Sequence, residues 1–578
     1  MTAVQHLITD HLDLWTTAIK HKSSAGRGSN KKIELYGIKK LRELILELAV
    51  RGLLVPQDPS DEPASELLNK IAAEKEALVK TKAIRKSKEL VPITHEEIPF
   101  EIPRGWVATR LGSIGDWGAG ATPSRSRPEY YGGDIPWFKS GELTDDFIDF
   151  SEEKVTTLAL KDCSLRLNKA GDVLIAMYGA TIGKVSILNV EGTTNQAVCA
   201  CTPFCGITNV FLLTLLKAYK NRFVGMGAGG AQPNISREKI IATPILLPPL
   251  NEQSRIIARV DELMALCDQL EQQSYEQIDT HNALIDALLT SITQPEATAS
   301  TTALELLFAN FDSLFTTAHS IDQLKQSILQ LAVMGKLVPQ DPNDEPASEL
   351  LKKIAAEKEA LVKTKVIRKS KELAPITHEE IPFKIPRGWV ATRLGSIGDW
   401  GAGATPSRSR PEYYGGGIPW FKSGELTDDF IDFSEEKVTA LAIKDCSLRL
   451  NKAGDVLIAM YGATIGKVSI LNVEGTTNQA VCACTPFCGI TNVFLLTLLK
   501  AYKNRFVGMG AGGAQPNISR EKIIATPILL PPLNEQSRII TRVGELMALC
   551  DQLKAELTNA QSTQLQLADA LAEQALAV

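Results

Sequence analysis

Apolar residues recur along this chain at two helical spacings. Near the N-terminus they occupy one face of an amphipathic helix, a predicted helical arm: Leu41, Leu44, Ile45 and Leu48. Further on they alternate four and three residues apart, the spacing typical of a coiled-coil seam: Ile256, Val260, Leu263, Cys267 and Leu270. The seam returns near the C-terminus: Ile539, Val543, Leu546, Cys550, Leu553, Leu557, Leu567 and Leu571. Two long helices are therefore predicted.

A different pattern fills the region between the arm and the first seam. Residues 65–88 predict a charged helix. Short apolar runs at 172–177, 184–188 and 240–247 then predict strands, among frequent glycine, proline and aromatic residues. This mixture favours an α/β domain that ends at Pro248 and Pro249.

The whole pattern occurs twice. Residues 52–270 recur as 335–553 with only about a dozen substitutions, among them Asp134/Gly417 and Asp261/Gly544. The period is far too long for a solenoid, so the chain is a tandem pair of domains. We predict an α+β fold in which two mixed α/β domains are separated by two long helices paired as an antiparallel coiled coil. The alternative is two separate helices, each packed on its own domain.

The predicted division follows this repeat. It comprises a helical arm (1–50), a charged connector (51–104), the first α/β domain (105–250), a central spacer helix (251–292), a linker with a second arm (293–335), a second connector (336–387), the second α/β domain (388–533) and a distal spacer helix (534–578). The first arm contains an additional basic, Gly/Ser-rich stretch at 21–32, which predicts a loop.

Composition narrows the function little. The 578 residues carry a net charge of −5, which gives no support to nucleic-acid binding. No apolar run approaches the roughly 18–20 residues that a membrane-spanning helix needs, and we expect a cytoplasmic protein. The ten cysteines are then expected as reduced thiols. Cys199, Cys201 and Cys205 leave a zinc site as the alternative, although their spacing is not the usual one.

Several short stretches, each present in both copies and in the same order, resemble the specificity subunits of type I restriction–modification enzymes. They are LVPQDP (54–59), DEPASELL (61–68), IPRGW (102–106), GATPS (120–124), IPW (135–137), GDVL (171–174), GATIGK (179–184), QPNI (232–235) and PPLNEQ (248–253). Each stretch alone is weak evidence, whereas their order, found twice, is specific to that family.

The resemblance implies two target-recognition domains that each read one half of an interrupted site in double-stranded DNA, held apart by the helix pair. Two modification subunits would methylate adenine, and restriction subunits would translocate and cleave DNA. S-adenosylmethionine, ATP and magnesium would then belong to those partners, and this chain would hold no cofactor or metal. The stretch 179–184 agrees, because it is too short for a phosphate-binding loop and is followed by Val185.

Candidate DNA-binding residues are those with hydrogen-bonding groups on predicted turns. In the first copy they are Thr122, Ser124, Arg125, Arg127, Lys139, Tyr178, Lys184, Gln232 and Asn234. In the second they are Thr405, Ser407, Arg408, Arg410, Lys422, Tyr461, Lys467, Gln515 and Asn517. The arginines would contact guanine edges or phosphates, or lie in a solvated loop. Asn234 would read adenine, or cap the helical turn through Ser236.

Near-identity of the two domains leads to one further hypothesis. An antiparallel helix pair relates its two ends by an approximate two-fold axis, and duplex DNA has the same symmetry, so like readers would see inverted half-sites. Asp134/Gly417 is the substitution that could make the half-sites differ. A protein-assembly scaffold that has lost DNA recognition is the main alternative. A duplicated enzyme lacks support, since no catalytic constellation stands out in the repeats.

Overall fold

A computed structural model describes residues 9–21, 33–227, 233–293, 297–381, 384–510 and 516–577. It divides into two compact units, the first formed by Met1–Gln277 with Gln561–Val578 and the second by Ile278–Ala560. Most of the predicted loop at 21–32 lies outside the described residues. Within the described ranges, no helix combines the length and the apolar character that crossing a membrane requires.

The first half begins with helices α1 and α2, of which α2 is the first arm helix, and a connector helix, α3. The bounds are α1 (Leu12–Thr17), α2 (Tyr36–Val50), α3 (Ala64–Lys80), α4 (Thr157–Asp162), α5 (Asn209–Ala218), α6 (Lys220–Met226), α7 (Arg237–Ile241) and the first spacer helix α8 (Leu250–Thr293). The strands are β1 (Lys20–His21), β2 (Ile33–Glu34), β3 (Val107–Arg110), β4 (Gly115–Ala119), β5 (Tyr131–Phe138), β6 (Phe147–Ile148), β7 (Lys154–Val155), β8 (Val173–Ala176), β9 (Val185–Leu188), β10 (Thr193–Thr194), β11 (Val198–Pro203) and β12 (Pro244–Leu247).

The second half begins with two further helices and repeats the described elements from the arm helix onward. Its helices are α9 (Ala297–Ala309), α10 (Phe311–Leu314), the second arm helix α11 (Ala318–Val333), the connector α12 (Ala347–Lys363), α13 (Ala440–Asp445), α14 (Asn492–Ala501), α15 (Lys503–Gly508), α16 (Arg520–Ile524) and the second spacer helix α17 (Leu533–Ala577). Its strands are β13 (Val390–Arg393), β14 (Gly398–Ala402), β15 (Tyr414–Phe421), β16 (Phe430–Ile431), β17 (Lys437–Val438), β18 (Val456–Ala459), β19 (Val468–Leu471), β20 (Thr476–Thr477), β21 (Val481–Pro486) and β22 (Pro527–Leu530).

A five-stranded sheet forms the centre of each α/β domain. In the first domain the strand order is β4-β11-β8-β9-β6, antiparallel except for the pair β6 and β9. One face of β8 packs into a core that contains helix α5, and the other face packs against Phe138 and Leu143. Burial on both faces explains why β8 and β9 consist of almost uninterrupted apolar residues.

A smaller lobe accompanies the central sheet. Strands β10, β5 and β7 form a three-stranded sheet, and helix α4 packs on it. Tyr130, Trp137 and Val155 are at the centre of this small core. Tyr131 and Ile135 of β5 both lie opposite Val155, and this register shift in the β5–β7 pairing marks a bulge in the central strand β5.

The first arm helix lies against the first spacer helix. Arg42 donates hydrogen bonds to Asp268 at 2.7 Å and to Glu271 at 2.5 Å, and the Tyr275 hydroxyl donates to the Ile33 carbonyl at 3.2 Å. As the arm proceeds from residue 33 to residue 42, the residue numbers of its partners in α8 therefore decrease from 275 to 268. The arm and this part of α8 run antiparallel.

The same arm also contacts the end of the second spacer helix, which belongs to the first unit. Tyr36 donates to Asp569 at 2.8 Å, and Arg51 donates to the Leu576 carbonyl at 3.4 Å. Here the residue numbers of the partners in α17 increase, from 569 to 576, as the arm proceeds from residue 36 to residue 51. Because the arm is antiparallel to α8 and parallel to α17, the two spacer helices run antiparallel within this unit.

The second unit has the equivalent arrangement. Asp322 accepts from Lys554 at 2.7 Å and Lys325 pairs with Asp551, so the second arm runs antiparallel to α17. At the end of α8, His281 contacts the Leu314 carbonyl and Gln323 donates to Asp286, an ascending order. Ile285 and Leu289 of α8, the arm and the start of α17 share one apolar core.

The spacer seam is only partly as predicted. Ile256, Val260, Leu263 and Cys267 are buried, but Leu567 is 52% exposed and Ala568 is buried instead. In α8 the equivalent Leu284 is 49% exposed, next to the buried Ile285. A straight α-helix drifts about 20° per heptad from a strict repeat, so the buried face passes to the next residue after several turns.

Two other segments also differ from the sequence prediction. The connector helix ends at Lys80 rather than at residue 88. Two residues later, Lys82 has a φ of 56°, a backbone conformation in which an α-helix cannot continue. Residues 240–247 are not one strand, because the Ser236 hydroxyl accepts from the Lys239 amide and starts helix α7 before β12. Short polar residues favour such caps, and the local hydrogen bond outweighs the β propensity of the isoleucines.

A buried carboxylate fixes the start of each spacer helix. Glu252 and Glu535 are fully buried, and Glu535 accepts from the Trp389 indole at 3.0 Å and from Gln340 at 3.2 Å. Gln340 also donates to the Gly335 carbonyl at the end of the second arm. The arm, the α/β domain and the spacer thus meet at one glutamate, and desolvation raises the pKa of both glutamates.

This junction predicts a pH dependence of stability. When folding raises the pKa of a carboxyl group, the folded state is more stable with that group protonated. Its contribution to the free energy of unfolding is therefore present below the ordinary glutamate pKa, and it is lost as pH rises through the raised value. In Glu252→Gln/Glu535→Gln the thermal midpoint should decline less between pH 4.5 and pH 8 than in the parent chain. Glu89→Gln, a control at an exposed position, should keep the parent slope. An unchanged slope in the double variant would contradict the assignment.

Candidate functional site

Four loops of each α/β domain meet along one edge, which we call the loop edge. In the first domain it comprises residues 120–127, 177–184, 195–197 and 233–236, and Lys139 follows the adjacent strand β5. These segments are far apart in the sequence and, together with Lys139, include all the described candidate residues. The loop edge of the second domain comprises 403–410, 460–467, 478–480 and 516–519.

Backbone hydrogen bonds connect the loops. Met177 donates to the Ala197 carbonyl at 2.8 Å and accepts from the Ile235 amide at 2.9 Å, while Gly179 donates to the Pro233 carbonyl at 2.8 Å. Tyr178 and Asn234 form an isolated antiparallel bridge. The turn after β8 therefore stands between the 195–197 loop and the 233–236 loop and positions both.

Gly120 allows the arginine-bearing loop to join this edge. Its amide donates to the Val198 carbonyl at 2.9 Å, and the next amide, of Ala121, donates to the Thr194 carbonyl at 3.0 Å. A Cβ atom on Gly120 would lie 2.3 Å from the carbonyl oxygens of Asn195 and Thr194. Only glycine permits this close backbone approach. The loop is thus anchored just before Thr122.

Arg125 is held in a fixed position on the loop edge. Its guanidinium is 2.7 Å from the Glu153 carboxylate and stacks over the rings of Tyr131 and Trp137, at 4.5 and 5.4 Å from their centroids. Lys139 approaches the same carboxylate at 3.2 Å. The Arg125 side chain nevertheless stays 60% exposed, so its planar donor group is oriented and accessible.

The electrostatics of this cluster are balanced. Desolvation would raise the pKa of Glu153, but Arg125 and Lys139 outweigh it and hold that pKa below the ordinary glutamate value. Arg127 is paired as well, at 2.7 Å from Glu129, and stacks over Tyr130. The local charge of the cluster is therefore close to neutral, in agreement with the weakly acidic chain as a whole.

Other predicted residues occupy simpler places. Tyr178 is 40% exposed at the start of the Gly179–Thr181 turn, and Lys184 is half-buried at its end. Ser124 shares a hydrogen bond with Ser126 at 2.8 Å. Asn234 is exposed and does not cap α7, because Ser236 holds that position; the capping alternative is wrong. Gln232 and Gln515 lie outside the described residues.

The second domain reproduces the cluster. Arg408 is 2.7 Å from Glu436 and 4.5 Å from the Tyr414 ring centroid, and Lys422 is 3.0 Å from the same carboxylate. The remaining candidates have the environments of their counterparts: Thr405, Ser407 and Arg410 on the arginine-bearing loop, Tyr461 and Lys467 at the turn, and Asn517 bridged to that turn.

Sequence reasoning missed two participants in each copy. Gln196 and Gln479 are exposed between two buried strands at the middle of the loop edge, and the Gln196 amide approaches the Thr122 hydroxyl at 3.5 Å. Nothing in the sequence distinguished Gln196, because the residues before it, 192–195, are also small or polar. Glu153 and Glu436 had no sequence signal either, because each lies 28 residues after the arginine with which it pairs.

The site offers hydrogen-bonding groups rather than reactive ones. Among the described residues, no group of three or more His, Cys, Asp or Glu side chains is placed to hold a metal ion. Cys199 and Cys201 are buried in the central core, where desolvation raises the pKa of Cys199 to about 12, while Cys205 is exposed. The chemistry available at the loop edge is recognition by oriented guanidinium, amide and hydroxyl groups.

Sequence similarity to a known family follows the same repeat. The family model described as the type I restriction modification DNA specificity domain matches residues 103–280 and again 386–560. The specificity subunits of the Escherichia coli type I restriction enzymes EcoAI and EcoEI are 40% and 39% identical to this chain, over 99% of it and 100% of each relative. A solved HsdS subunit from Thermoanaerobacter tengcongensis covers 83% of this chain and 98% of its own, at 18% identity and a TM-score of 0.38.

The close approach at Gly120 generates a stability prediction. Gly120→Ala should destabilise the first α/β domain by about 1–3 kcal/mol, because the added Cβ must displace backbone oxygens. The matched control is Gly141→Ala, whose Cβ would meet nothing within 4 Å. Differential scanning calorimetry should show a lower midpoint for the first variant alone. Equal midpoints for the two variants would show that the loop is not anchored at Gly120.

Proposed function

Because the chain belongs to the family of type I restriction–modification specificity subunits, we infer that it selects the DNA sequence on which a type I complex acts. The two matches of the family model each include one loop edge. The observation that carries the role is the repeated, accessible set of oriented donors and amides at that edge. The alternative of a scaffold without DNA recognition is not favoured, since the relatives above are specificity subunits.

We assign Arg125 and Arg408 to base edges rather than phosphates. Glu153 and Glu436 already neutralise these arginines, which weakens their attraction for a phosphate. A planar guanidinium held against two aromatic rings suits paired acceptors instead, such as O6 and N7 of guanine. Gln196 and Asn234, exposed on the same edge, supply amides that suit adenine.

The remaining tasks belong to other subunits in this proposal. Specificity subunits of type I systems work with modification and restriction subunits and with DNA. We place adenine methylation, with its S-adenosylmethionine, on two modification subunits, and ATP-driven translocation and cleavage on the restriction subunits. This chain contributes selection of the site and no catalytic group.

Inverted half-sites are a further part of the proposal. The loop edges of the two domains match residue for residue among the described candidates, and the spacer helices run antiparallel within each unit. Like readers joined by antiparallel helices would read the same sequence on opposite strands. The target would then be an interrupted palindrome.

Methylation mapping tests the palindrome. Long-read sequencing of DNA from cells that express this chain with its modification subunits should show methylated adenines in two inverted copies of one short sequence around a fixed gap. Replacing Gly417 by Asp, which makes the two strands β5 and β15 alike, should leave that motif palindromic. Two unrelated half-sites would refute the assignment of equal readers.

Substitution of the two arginines tests base contact. In Arg125→Gln/Arg408→Gln, the ratio of specific to non-specific affinity should fall, by about 1–3 kcal/mol for each bidentate contact that is lost. Fluorescence anisotropy of the chain with its modification subunits would measure both affinities over a salt series. The slope of binding against salt should stay unchanged, because no phosphate contact is removed.

The control and the contrary results are distinct. Lys169→Gln/Lys452→Gln removes the same charges in the turn before β8 and β18, at the opposite end of these strands from Tyr178, and should change neither quantity. A reduced salt slope with an unchanged affinity ratio in the arginine variant would assign Arg125 to a phosphate. No change in either would remove it from the interface.

A further inference from the structure

The two arm helices share most of their apolar face but differ in their polar faces. Four apolar residues are shared at equivalent positions, Ile38/Ile321, Leu41/Leu324, Ile45/Ile328 and Leu48/Leu331, whereas buried Leu44 corresponds to buried Ser327. The polar residues beside them have changed, notably Lys39 to Asp322 and Arg42 to Lys325. This contrast is unexpected, because the repeat that follows the arms is almost invariant. The shared apolar positions alone cannot distinguish one arm from the other.

The spacer helices differ at the facing position. Residues 262–270 of the first spacer are identical to residues 545–553 of the second. At the next position, Glu271 of the first spacer corresponds to Lys554 of the second. In the first unit, Arg42 contacts both Asp268 and Glu271, so a positive arm meets a negative spacer. Lys39, one turn before Arg42, adds a second positive charge to that arm; its own contact is Glu34, at 3.2 Å.

The second unit uses the reversed pair. Asp322 of the arm contacts Lys554 of the spacer at 2.7 Å, and Lys325 pairs with Asp551. The charges at the positions of Lys39 and Glu271 have thus both changed sign, and each unit remains complementary. Such compensation preserves the attraction between each arm and its own spacer. An arm that was exchanged onto the other spacer would instead face a like charge.

We propose that these charges form a pairing code that directs each arm to its own spacer and disfavours exchange of arms, within the chain or with a second copy of it. The first arm placed on the second spacer would set Lys39 and Arg42 beside Lys554. The second arm placed on the first spacer would set Asp322 beside Glu271. Each exchange therefore introduces a like-charge contact and loses an ion pair.

Duplication creates the need for such a code. A chain with two almost identical halves has interchangeable apolar surfaces, and exchange of an identical element between chains is a common route to unwanted oligomers. Each exposed contact changes the preference only about two- to fivefold. Two arms, each with a lost attraction and a gained repulsion, together give a preference on the order of tenfold or more.

Exchange of the spacer charges in the full-length chain tests the code. Two differently tagged copies are co-expressed, and capture of one by the other is quantified, with dimer mass measured by light scattering. In Glu271→Lys/Lys554→Glu the residues at 39 and 322 face like charges on their own spacers and opposite charges on the exchanged ones, while the pairs with Asp268 and Asp551 are unchanged, so capture should rise about tenfold. At about 1 M salt the difference from the parent chain should largely disappear, because such charges are screened.

Restoring the code supplies the decisive comparison. The variant K39D/E271K/D322K/K554E makes each unit complementary again and should return capture to the parent level. Glu276→Lys, a charge reversal at an exposed position whose contact is Gln272 of the same helix, should not raise capture. If the double variant is insoluble and the quadruple variant is soluble, the code is supported. Equal behaviour of the double and quadruple variants, soluble or not, would overturn it.

Discussion

Burial of one apolar face along the spacer helices is the interaction on which each unit depends. At about 1.5 Å per residue, the 44 residues of α8 extend over about 66 Å, far beyond what its own α/β domain can cover. An isolated helix gains little stability in water, so the face must be covered throughout. An arm helix and the end of the other spacer cover it. The first unit is for this reason assembled from segments at opposite ends of the sequence.

The buried junction glutamates connect this helical scaffold to the recognition surface. Strand β12 pairs with β3 and leads within three residues into α8, so the central fold of the domain and the direction of its spacer are set together. Glu252 occupies the first turn of that helix, beneath Trp106 and beside the connector residue Gln57. A site reader needs this stiffness, because two domains gain from each other only when their separation is fixed.

Strong periodicity made much of this architecture predictable. The arm face, the seam as far as Cys267 and the buried strands β8 and β9 each have a pattern that only one arrangement satisfies. The slip of the seam at Leu284 and Leu567 was not predictable from a heptad template, because the drift accumulates gradually over many turns. The early end of the connector helix depends on a single backbone conformation, at Lys82.

The loop edge shows a different limit. The sequence identified Arg125 as a candidate by its residue type, but not its partners, since Glu153, Tyr131 and Trp137 reach it only through the pairing of β5 with β7. Contacts of this kind follow from tertiary packing and have no periodic signal. Gln196 was missed for the same reason: its position becomes informative only when Met177 and Thr122 are placed on either side of it.

The small lobe is where two such domains can diverge. The two α/β domains differ at Asp134/Gly417, Thr157/Ala440 and Leu160/Ile443, and all three positions lie on β5 or α4 of that lobe or their equivalents. The central sheet is buried on both faces, where a changed volume is costly. Asp134 and Thr157 are exposed, and Leu160/Ile443 conserves volume, so these changes leave the core intact. Because β5 also carries the rings that hold Arg125, substitutions there reach the recognition surface without disturbing the fold that supports it.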